Sequence, residues 1–394
     1  MQLVERHIVL NDKSIEDVCF KAARLYNFCN YYRRQVHFHT LEKFSEYELS
    51  GMLAEFKQED YKALPAQTAQ QVIKLLFKNW KAYFAALKAF KKNPASFTGR
   101  PKPPKYKDKQ GYGICIFTGQ QVKLKDGYIH FPKSVHLEPV KTKVTKAKQV
   151  RLVPQATCFV IEIVYNATPT IHEVEKSKFL TIDLDVNNFA TCISNVGEKP
   201  FIINGRILKS KNQWYNKHKA TLMSYIGDKG TSNRINQLTF KRNTFIEDKL
   251  HQISRFIVNY CIDHEIGSIV IGKNPLWKQE INTGKRNNQN FINLPHAKLI
   301  DKITYKAAMA GIEVQVPEEA YTSKCDHFAL EPMQHHDTYL GKRVKRGLFQ
   351  SSTGVVLNAD INGAIGISRK VFGDSVVKQI ADSGLAFNPV KLTI

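Results

Sequence analysis

An aspartate stands inside an otherwise apolar run, FLTIDLD, at residues 179–185. The pattern predicts a buried strand, and the carboxylate of Asp183 is costly there unless it reaches the end of a sheet or a cation. Asp360 lies in the sequence NADINGA, where a loop enters a predicted helix. Singly, Asp183 could be a structural buried acid and Asp360 a plain helix N-cap. Two Mg²⁺ ions that hydrolyse a phosphodiester need such carboxylates brought together from separate strands and helix starts.

The second half of the chain alternates strands with helices. Further apolar runs at 201–204, 268–272 and 312–316 predict strands, and helical patterns cover 244–262 and 295–310. This order predicts a mixed α/β layer that begins near residue 176.

The first half has a different pattern. A helical region is predicted from residue 14 to residue 95, and its clearest helix, 67–90, carries an apolar stripe whose aromatic residues we expect in the core. Residues 1–13 and 96–175 contain short β-like runs that suggest a small barrel. The stretch from Arg100 to Arg151 holds 13 Lys and Arg against 3 Asp and Glu, so this barrel is a candidate nucleic-acid platform, or else a solvated basic surface.

The net charge of the chain indicates which class of partner it binds. Lys and Arg total 58 against 35 Asp and Glu, which gives a net charge of +23. A polyanionic partner is favoured over attachment to a membrane surface or a merely basic protein. No apolar run is long enough for a membrane span, and seven singly spaced cysteines predict reduced thiols. We therefore expect a cytoplasmic protein, associated with the nucleoid of a prokaryote.

Sequence motifs along nearly the whole chain resemble, in order, those of the TnpB/OrfB family of transposon-encoded proteins. The N-terminal matches are LYNFCNYYRRQ at 25–35, LPAQTAQQ at 64–71 and FTGRPKPPKYK at 97–107. The C-terminal matches are TIDLDVNNFAT at 181–191, IVIGKNPLWKQ at 269–279, LPHAKLI at 294–300, EAYTSK at 319–324 and NADINGAIGI at 358–367. The first and last of these C-terminal segments look like the first and third RuvC motifs.

The resemblance implies an α+β multidomain protein. A wedge-like β-barrel (1–13 and 96–175) would carry an inserted helical recognition bundle (14–95), and a RuvC or RNase H-like α/β nuclease domain (176–394) would follow. It also implies a guide RNA derived from the transposon end, and cleavage of double-stranded target DNA next to a short adjacent motif. Type V CRISPR effectors share this plan.

The chain departs from the family at the second RuvC acid. The family has a carboxylate where this chain has Gly272. Glu318 and Glu319 close the next predicted strand, and neighbouring strand ends lie about 5 Å apart, so one of them could reach the same metals. We favour Glu319, because alternation along a strand turns only one of the pair toward the site. The two could also be surface acids at a strand end.

Two further departures concern zinc and Asp185. The family commonly carries a four-cysteine ribbon, but the insertion at about 324–357 keeps only Cys325, with His327, His335 and His336. We expect no zinc and a metal-free loop whose cations, Lys342, Arg343, Lys345 and Arg346, are available to phosphates. Asp185 stands where the family usually has a glycine. Its side chain either faces away from Asp183 or perturbs the pKa of Asp183 through the repulsion of like charges.

The sequence therefore predicts a Mg²⁺-dependent DNA endonuclease with two metal ions. Asp183, Glu319 and Asp360 are the predicted catalytic and metal-binding residues. The alternative is a RuvC-inactive, RNA-guided DNA-binding protein that acts like a repressor, which Gly272 motivates. Direct DNA strand transfer is a weaker alternative, because no tyrosine nucleophile with a metal-binding histidine pair is recognisable.

Overall fold

The computed structural model describes residues 1–39, 43–227, 230–273, 294–345, 347–382 and 388–394. Contacts within the chain define two compact units, Met1–Ala167 and Thr168–Ile394. The predicted boundary after residue 175 falls at the first strand of the second unit, which begins at Glu175. Most of the motif at 269–279 lies outside the described residues, as does Arg346.

The first unit combines helices with two antiparallel sheets. Its helices are α1 (Lys13–Phe38), α2 (Glu46–Glu55), α3 (Glu59–Lys62) and α4 (Ala66–Lys92). Its strands are β1 (Gln2–Val9), β2 (Cys115–Thr118), β3 (Lys123–Lys125), β4 (Tyr128–His130), β5 (Val140–Lys141), β6 (Ala147–Pro154) and β7 (Phe159–Asn166). They form one sheet in the order β1-β7-β6-β2 and another in the order β3-β4-β5. The predicted barrel corresponds to these two sheets, and its closed form stays a prediction.

Helix α4 is longer than the core that it packs on. Its stripe is buried as far as Trp80, whose indole Nε1 donates to Asn30 Oδ1 on α1 at 3.0 Å. Beyond that turn the prediction of a buried aromatic stripe is wrong, since Phe84 is exposed. The reason is that α1, on which α4 packs, ends at Phe38. Near that end the ring of His37 lies 5.5 Å from the ring of Phe84.

The second unit is a mixed α/β layer, as the alternation of elements predicts. Its strands are β8 (Glu175–Asp183), β9 (Asn188–Ser194), β10 (Phe201–Asn204), β11 (Ile266–Ile271), β12 (Glu313–Gln315) and β16 (Val390–Leu392), in the order β12-β11-β8-β9-β10-β16. Its helices are α5 (Arg206–Ser224), α6 (Asn233–Asp263), α7 (His296–Ala310), α8 (Ala359–Phe372) and α9 (Ser375–Asp382). The β8–β9 pair is antiparallel and the β8–β11 pair is parallel.

Alternation along β8 decides which side Asp183 faces. Leu180 and Ile182 pack into the core formed with α6 and α7, whereas Phe179 packs into the core formed with α8 and α9. Since successive side chains of a strand point to opposite faces, Asp183 shares the α8 side with Phe179.

We expected a loop at about 324–357, and this prediction is wrong. Strands β13 (Lys342–Lys345), β14 (Leu348–Gln350) and β15 (Val356–Asn358) form a three-stranded antiparallel sheet. Phe349 and Leu357 anchor it, because both are only 1% exposed and belong to the core beneath α8. None of the described helices is long and apolar enough to span a membrane.

Candidate active site

The two motif aspartates lie at the end of a strand and the start of a helix. Asp183 is the last residue of β8, and Asp360 lies in the first turn of α8. The N-cap of α8 is Asn358, whose side chain accepts from the backbone N of Asp360 at 2.9 Å. Asp360 is therefore not the helix cap, and its Oδ2 instead accepts a hydrogen bond from Asn188 Nδ2 at 2.6 Å.

A glycine brings Asp183 against the helix that carries Asp360. A Cβ placed on Gly363 would lie 2.7 Å from Asp183 Oδ2, closer than two such atoms can approach. Gly363 follows Asp360 by three residues, so both lie on one face of α8. The Asp183 carboxylate thus contacts the helix face from which Asp360 projects.

Glu319 takes the space of the side chain that is missing at Gly272. The backbone N of Gly272 donates to the carbonyl of Ile182 at 3.1 Å, which extends the pairing of β11 with β8 beside Asp183. A Cβ on Gly272 would lie 2.7 Å from Glu319 Oε2. The Glu319 carboxylate therefore lies directly beside the position that the first side-chain atom of an acid at residue 272 would take.

Glu318 is placed differently. It is exposed, and its carbonyl accepts from Lys370 Nζ on α8 at 2.9 Å. Our reason for preferring Glu319, alternation along a strand, does not apply, because β12 ends at Gln315. The turn that follows the strand separates the two side chains instead.

One cavity of about 720 Å³ collects the candidate residues. Asp183, Glu319 and Asp360 line it together with Asp185, which therefore does not face away from the site. The other lining residues are Leu184, Asn187, Asn188, Arg206, Ser323, Arg343, Gly347, Asn358 and Lys391. Four acids and three basic residues share this space.

Burial and mutual repulsion favour the protonated forms of these acids. The pKa of Asp183 is raised well above its usual range by burial first, and then by the charges of Glu319, Asp360 and Asp185. Burial raises the pKa of Glu319 to about 7. The pKa of Asp360 is raised by burial and by Asp185, although the hydrogen bond from Asn188 opposes that shift. Carboxylates crowded in this way are stabilised by a cation.

The donors suit a hard divalent cation in their chemistry. They are carboxylate oxygens, which Mg²⁺ prefers, and they approach from a strand end, a turn and a helix start. Among the residues that the structure describes, no three His, Cys, Asp or Glu side chains converge closely enough to hold a metal ion.

Asn188, Arg206 and Lys391 are among the lining residues that sequence reasoning did not single out. Asn188 stands within the motif at 181–191, five residues after Asp183, so its proximity could have been suspected. Arg206 begins α5, directly after β10, and Lys391 belongs to β16, which pairs with β10 in parallel. Sequence spacing gives no signal for Lys391. It reaches the cavity because β16 pairs with β10, and these two strands are far apart in the sequence.

In the insertion, four residues were considered for zinc, and no three of them form a group that could hold a metal ion within the described part of the chain. Cys325 and His327 are buried, whereas His335 is exposed. Both ring nitrogens of His327 are hydrogen-bonded, to the carbonyl of Thr322 at 2.6 Å and to Arg369 at 2.9 Å.

Two family models match the chain. Residues 162–277 match the OrfB_IS605 family, described as a probable transposase. Residues 296–367 match the Cas12f1-like TNB domain. No curated protein matches the sequence significantly.

The chain is similar to solved structures at low sequence identity. The Cas12f1–sgRNA–target DNA complex has a TM-score of 0.54 at 17% identity, over 90% of this chain and 81% of that one. The mini-RNA-guided endonuclease CRISPR-Cas_phi3 has a TM-score of 0.42 at 10% identity, over 94% of this chain and 92% of that one. The chain is therefore similar to the OrfB_IS605 family of probable transposases over residues 162–277 and to the Cas12f1-like TNB domain over residues 296–367, and it lacks the four-cysteine ribbon.

Proposed function

We propose that this protein is an RNA-guided DNA endonuclease encoded by an insertion sequence. It would cleave double-stranded DNA next to a short adjacent motif, by two-metal hydrolysis of a phosphodiester. The family match supports this proposal, and a solved structure with a similar fold is the Cas12f1–sgRNA–target DNA complex. The net charge of +23 suits both nucleic acids.

The observation that carries the proposal is the position of Glu319. Without an acid at position 272, the carboxylate pair of Asp183 and Asp360 would lack a third member. The Glu319 carboxylate lies 2.7 Å from where a Cβ of residue 272 would be, in the same cavity as the two aspartates. In this proposal, Glu319 supplies the third acid of the site from the neighbouring turn.

Seven residues that line the cavity have a role in this proposal. Asp183, Glu319 and Asp360 would hold two Mg²⁺ ions, and Asn188 orients the Asp360 carboxylate through its 2.6 Å hydrogen bond. The basic residues of the cavity, Arg206, Arg343 and Lys391, would hold the phosphates of the strand that is cut. Bound Mg²⁺ supplies Lewis acidity and neutralises the charge that develops on the phosphate.

The partners and domains follow from the same reading. The guide would be an RNA from the transposon end, and the protein would act in the cytoplasm, at the nucleoid. Residues 1–13 and 96–175 would form the wedge-like domain, 14–95 the recognition domain and 176–394 the nuclease.

A second candidate is an RNA-guided DNA-binding protein that does not cut. Gly272 favours it, because this strand end carries no acid. Such a protein would block its target in the manner of a repressor.

Cleavage by the purified complex separates the two candidates. The protein is loaded with RNA transcribed from the transposon end and mixed with matching target DNA and Mg²⁺. An endonuclease cuts, and Asp183→Ala abolishes cutting while target binding is kept. Tight, guide-dependent binding by the unmodified protein without any cleavage would instead establish the repressor-like function.

A further inference from the structure

A series of hydrogen bonds joins the C-terminal half of α8 to the turn that carries Glu319. Arg369 Nη1 donates to His327 Nδ1 at 2.9 Å, and His327 Nε2 donates to the carbonyl of Thr322 at 2.6 Å. Thr322 Oγ1 then donates to the carbonyl of Glu319 at 2.8 Å. The turn of residues 319–322 is thus connected to α8 through one imidazole ring.

The two neighbours of His327 fix its tautomer. The Thr322 carbonyl can only accept, so the proton is on Nε2, and the Arg369 guanidinium can only donate, so Nδ1 carries the lone pair. Burial lowers the pKa of His327 to about 4, and the ring is fully buried. At neutral pH the ring is a neutral bridge with one donor and one acceptor.

The ring has a fixed place against α8. A Cβ on Gly366 would lie 2.3 Å from His327 Nε2 and 2.9 Å from Thr322 Cβ, so glycine is needed for this approach. Arg369 is 4% exposed and is held in turn by Asp374, whose Oδ1 accepts from Nη2 at 2.7 Å. The ring therefore sets the distance between the helix and the turn.

Helix α8 carries Asp360 at one end and these contacts toward the other. Lys370 holds the carbonyl of Glu318, so the turn is attached to α8 at two points. The position of Glu319 relative to Asp360 thus depends on how the turn is attached to α8.

We propose that His327 is a positioning residue for Glu319. Through Thr322 it holds the turn of residues 319–322 so that the Glu319 carboxylate stays beside Gly272, in the cavity of Asp183 and Asp360. This inference rests on the proposed function, in which Glu319 holds a metal ion. His327 itself lies behind the turn and acts on the metal site through the backbone.

A buried histidine could also do no more than stabilise the fold. The two roles differ in how His327 depends on Glu319. A residue that acts through Glu319 loses its effect on metal binding once the Glu319 carboxylate is gone, whereas a general loss of packing persists in any background. A double-mutant cycle therefore separates them.

The experiment titrates the full chain with Mn²⁺ and follows free Mn²⁺ by electron paramagnetic resonance, which needs no cleavage. His327→Leu and Glu319→Gln should each raise the half-saturating Mn²⁺ roughly tenfold, as is typical for residues that orient metal ligands. The double variant should bind like Glu319→Gln alone. His327→Gln, whose amide can donate to Thr322 and accept from Arg369, should recover binding to within about threefold of the unmodified protein.

Ile365→Val is the matched control, because it trims a fully buried side chain of α8 that takes no part in these hydrogen bonds. It should leave the half-saturating Mn²⁺ unchanged. If His327→Leu does not fold, Gly366→Ala replaces it, since the added methyl displaces the ring.

Three results would overturn the positioning role. They are an unchanged Mn²⁺ requirement in His327→Leu, a full further loss in the Glu319→Gln background, and no dependence of Mn²⁺ binding on Glu319. Mn²⁺ binding that depends on Glu319 and His327, in a protein that does not cut guided DNA, would refute the endonuclease function and leave the positioning role intact.

Discussion

The Glu319 carboxylate occupies the place beside Gly272 where a side chain of residue 272 would begin, with Oε2 at 2.7 Å from that Cβ position. Glycine at 272 and glutamate at 319 therefore depend on each other sterically. Glu319 thus brings a carboxylate to the edge of the sheet at which residue 272 carries none.

This pair predicts the effect of a methyl group at residue 272. Gly272→Ala would press on Glu319 and on Ile367, whose Cδ1 lies 2.5 Å from the Cβ position. We expect a loss of about 1–3 kcal/mol in the free energy of unfolding, typical of overpacking, together with a higher Mn²⁺ requirement. Urea unfolding with and without Mn²⁺ measures both. Full stability and unchanged metal binding would show that the space beside Gly272 is not filled by Glu319.

The hydrogen bond from Asn188 to Asp360 predicts a loss of cleavage without a loss of binding. Asn188→Ala should lower the rate of guided cleavage roughly tenfold to a hundredfold, because an unheld carboxylate orients a metal poorly. Target affinity should stay within about twofold, since Asn188 bonds a carboxylate of the site. Asn195→Ala is the control, as that amide holds Ser177 and Phe179 at the other end of β8. Equal rate losses in both variants would contradict a specific role for Asn188.

Much of the framework of this site can be read from the sequence. The order of strands and helices after residue 176 follows from apolar periodicity, and the structure has Asp183 at a strand end and Asp360 at a helix start. Both positions depend on local patterns.

The position of the third acid could not be derived in the same way. Glu319 lies beyond the end of β12, in a turn whose path is set by Thr322, His327 and Lys370. Two of the contacts that attach this turn to α8, from Arg369 to His327 and from Lys370 to the carbonyl of Glu318, join residues 42 and 52 positions apart, and no periodic pattern records them. The strands of the insertion were missed for a different reason. Strand β13 is exposed throughout and has no apolar alternation, and β14 and β15 are only three residues long.

The buried carboxylate of Asp326 predicts how the insertion is stabilised. It accepts from Ser352 N at 2.7 Å, from the hydroxyls of Ser351 and Ser352 at 2.9 Å, and from Ala329 N at 3.2 Å. Asp326→Ala should cost roughly 2–4 kcal/mol of unfolding free energy, because these donors lose a charged acceptor. Treatment of the unmodified protein with a zinc chelator should leave its melting temperature unchanged. A chelator-induced drop in that temperature would mean that a metal holds the insertion.

The same carboxylate gives a pH dependence. Burial raises the pKa of Asp326, but the hydrogen bonds from Ser351, Ser352 and Ala329 outweigh it and hold this pKa below its usual value. Its contribution to stability is therefore present above the unfolded pKa of about 3.9 and is lost as the pH falls toward the folded pKa. Acid unfolding of Asp326→Asn should show a shallower loss below pH 4 than the unmodified protein. Parallel curves for the two proteins would contradict this.

Lys306 predicts a slope of the same sign at alkaline pH. Burial, with Arg255 and Lys302 nearby, lowers the pKa of Lys306 to about 8, and its Nζ donates to Ser254 Oγ and the carbonyl of His251. Between this value and the unfolded pKa of about 10.4, the unfolded chain binds more protons, so stability rises with pH. Lys306→Met should remove up to about 3 kcal/mol of this rise in the free energy of unfolding. This value converts the difference between the folded and unfolded pKa of Lys306 at roughly 1.4 kcal/mol per pKa unit. Urea unfolding at pH 8 and pH 10 tests it, and equal slopes in both proteins would refute it.

The most direct test of the account compares two neighbouring glutamates. Guided cleavage of target DNA is measured for Glu318→Gln and Glu319→Gln, which differ only in which side chain loses its charge. Because Glu319 lines the cavity with Asp183 and Asp360 whereas Glu318 is exposed, Glu319→Gln should reduce cleavage at least about a hundredfold and Glu318→Gln should cut like the unmodified protein. Full cleavage by Glu319→Gln would contradict the account, because the third carboxylate of the site would then have to come from elsewhere.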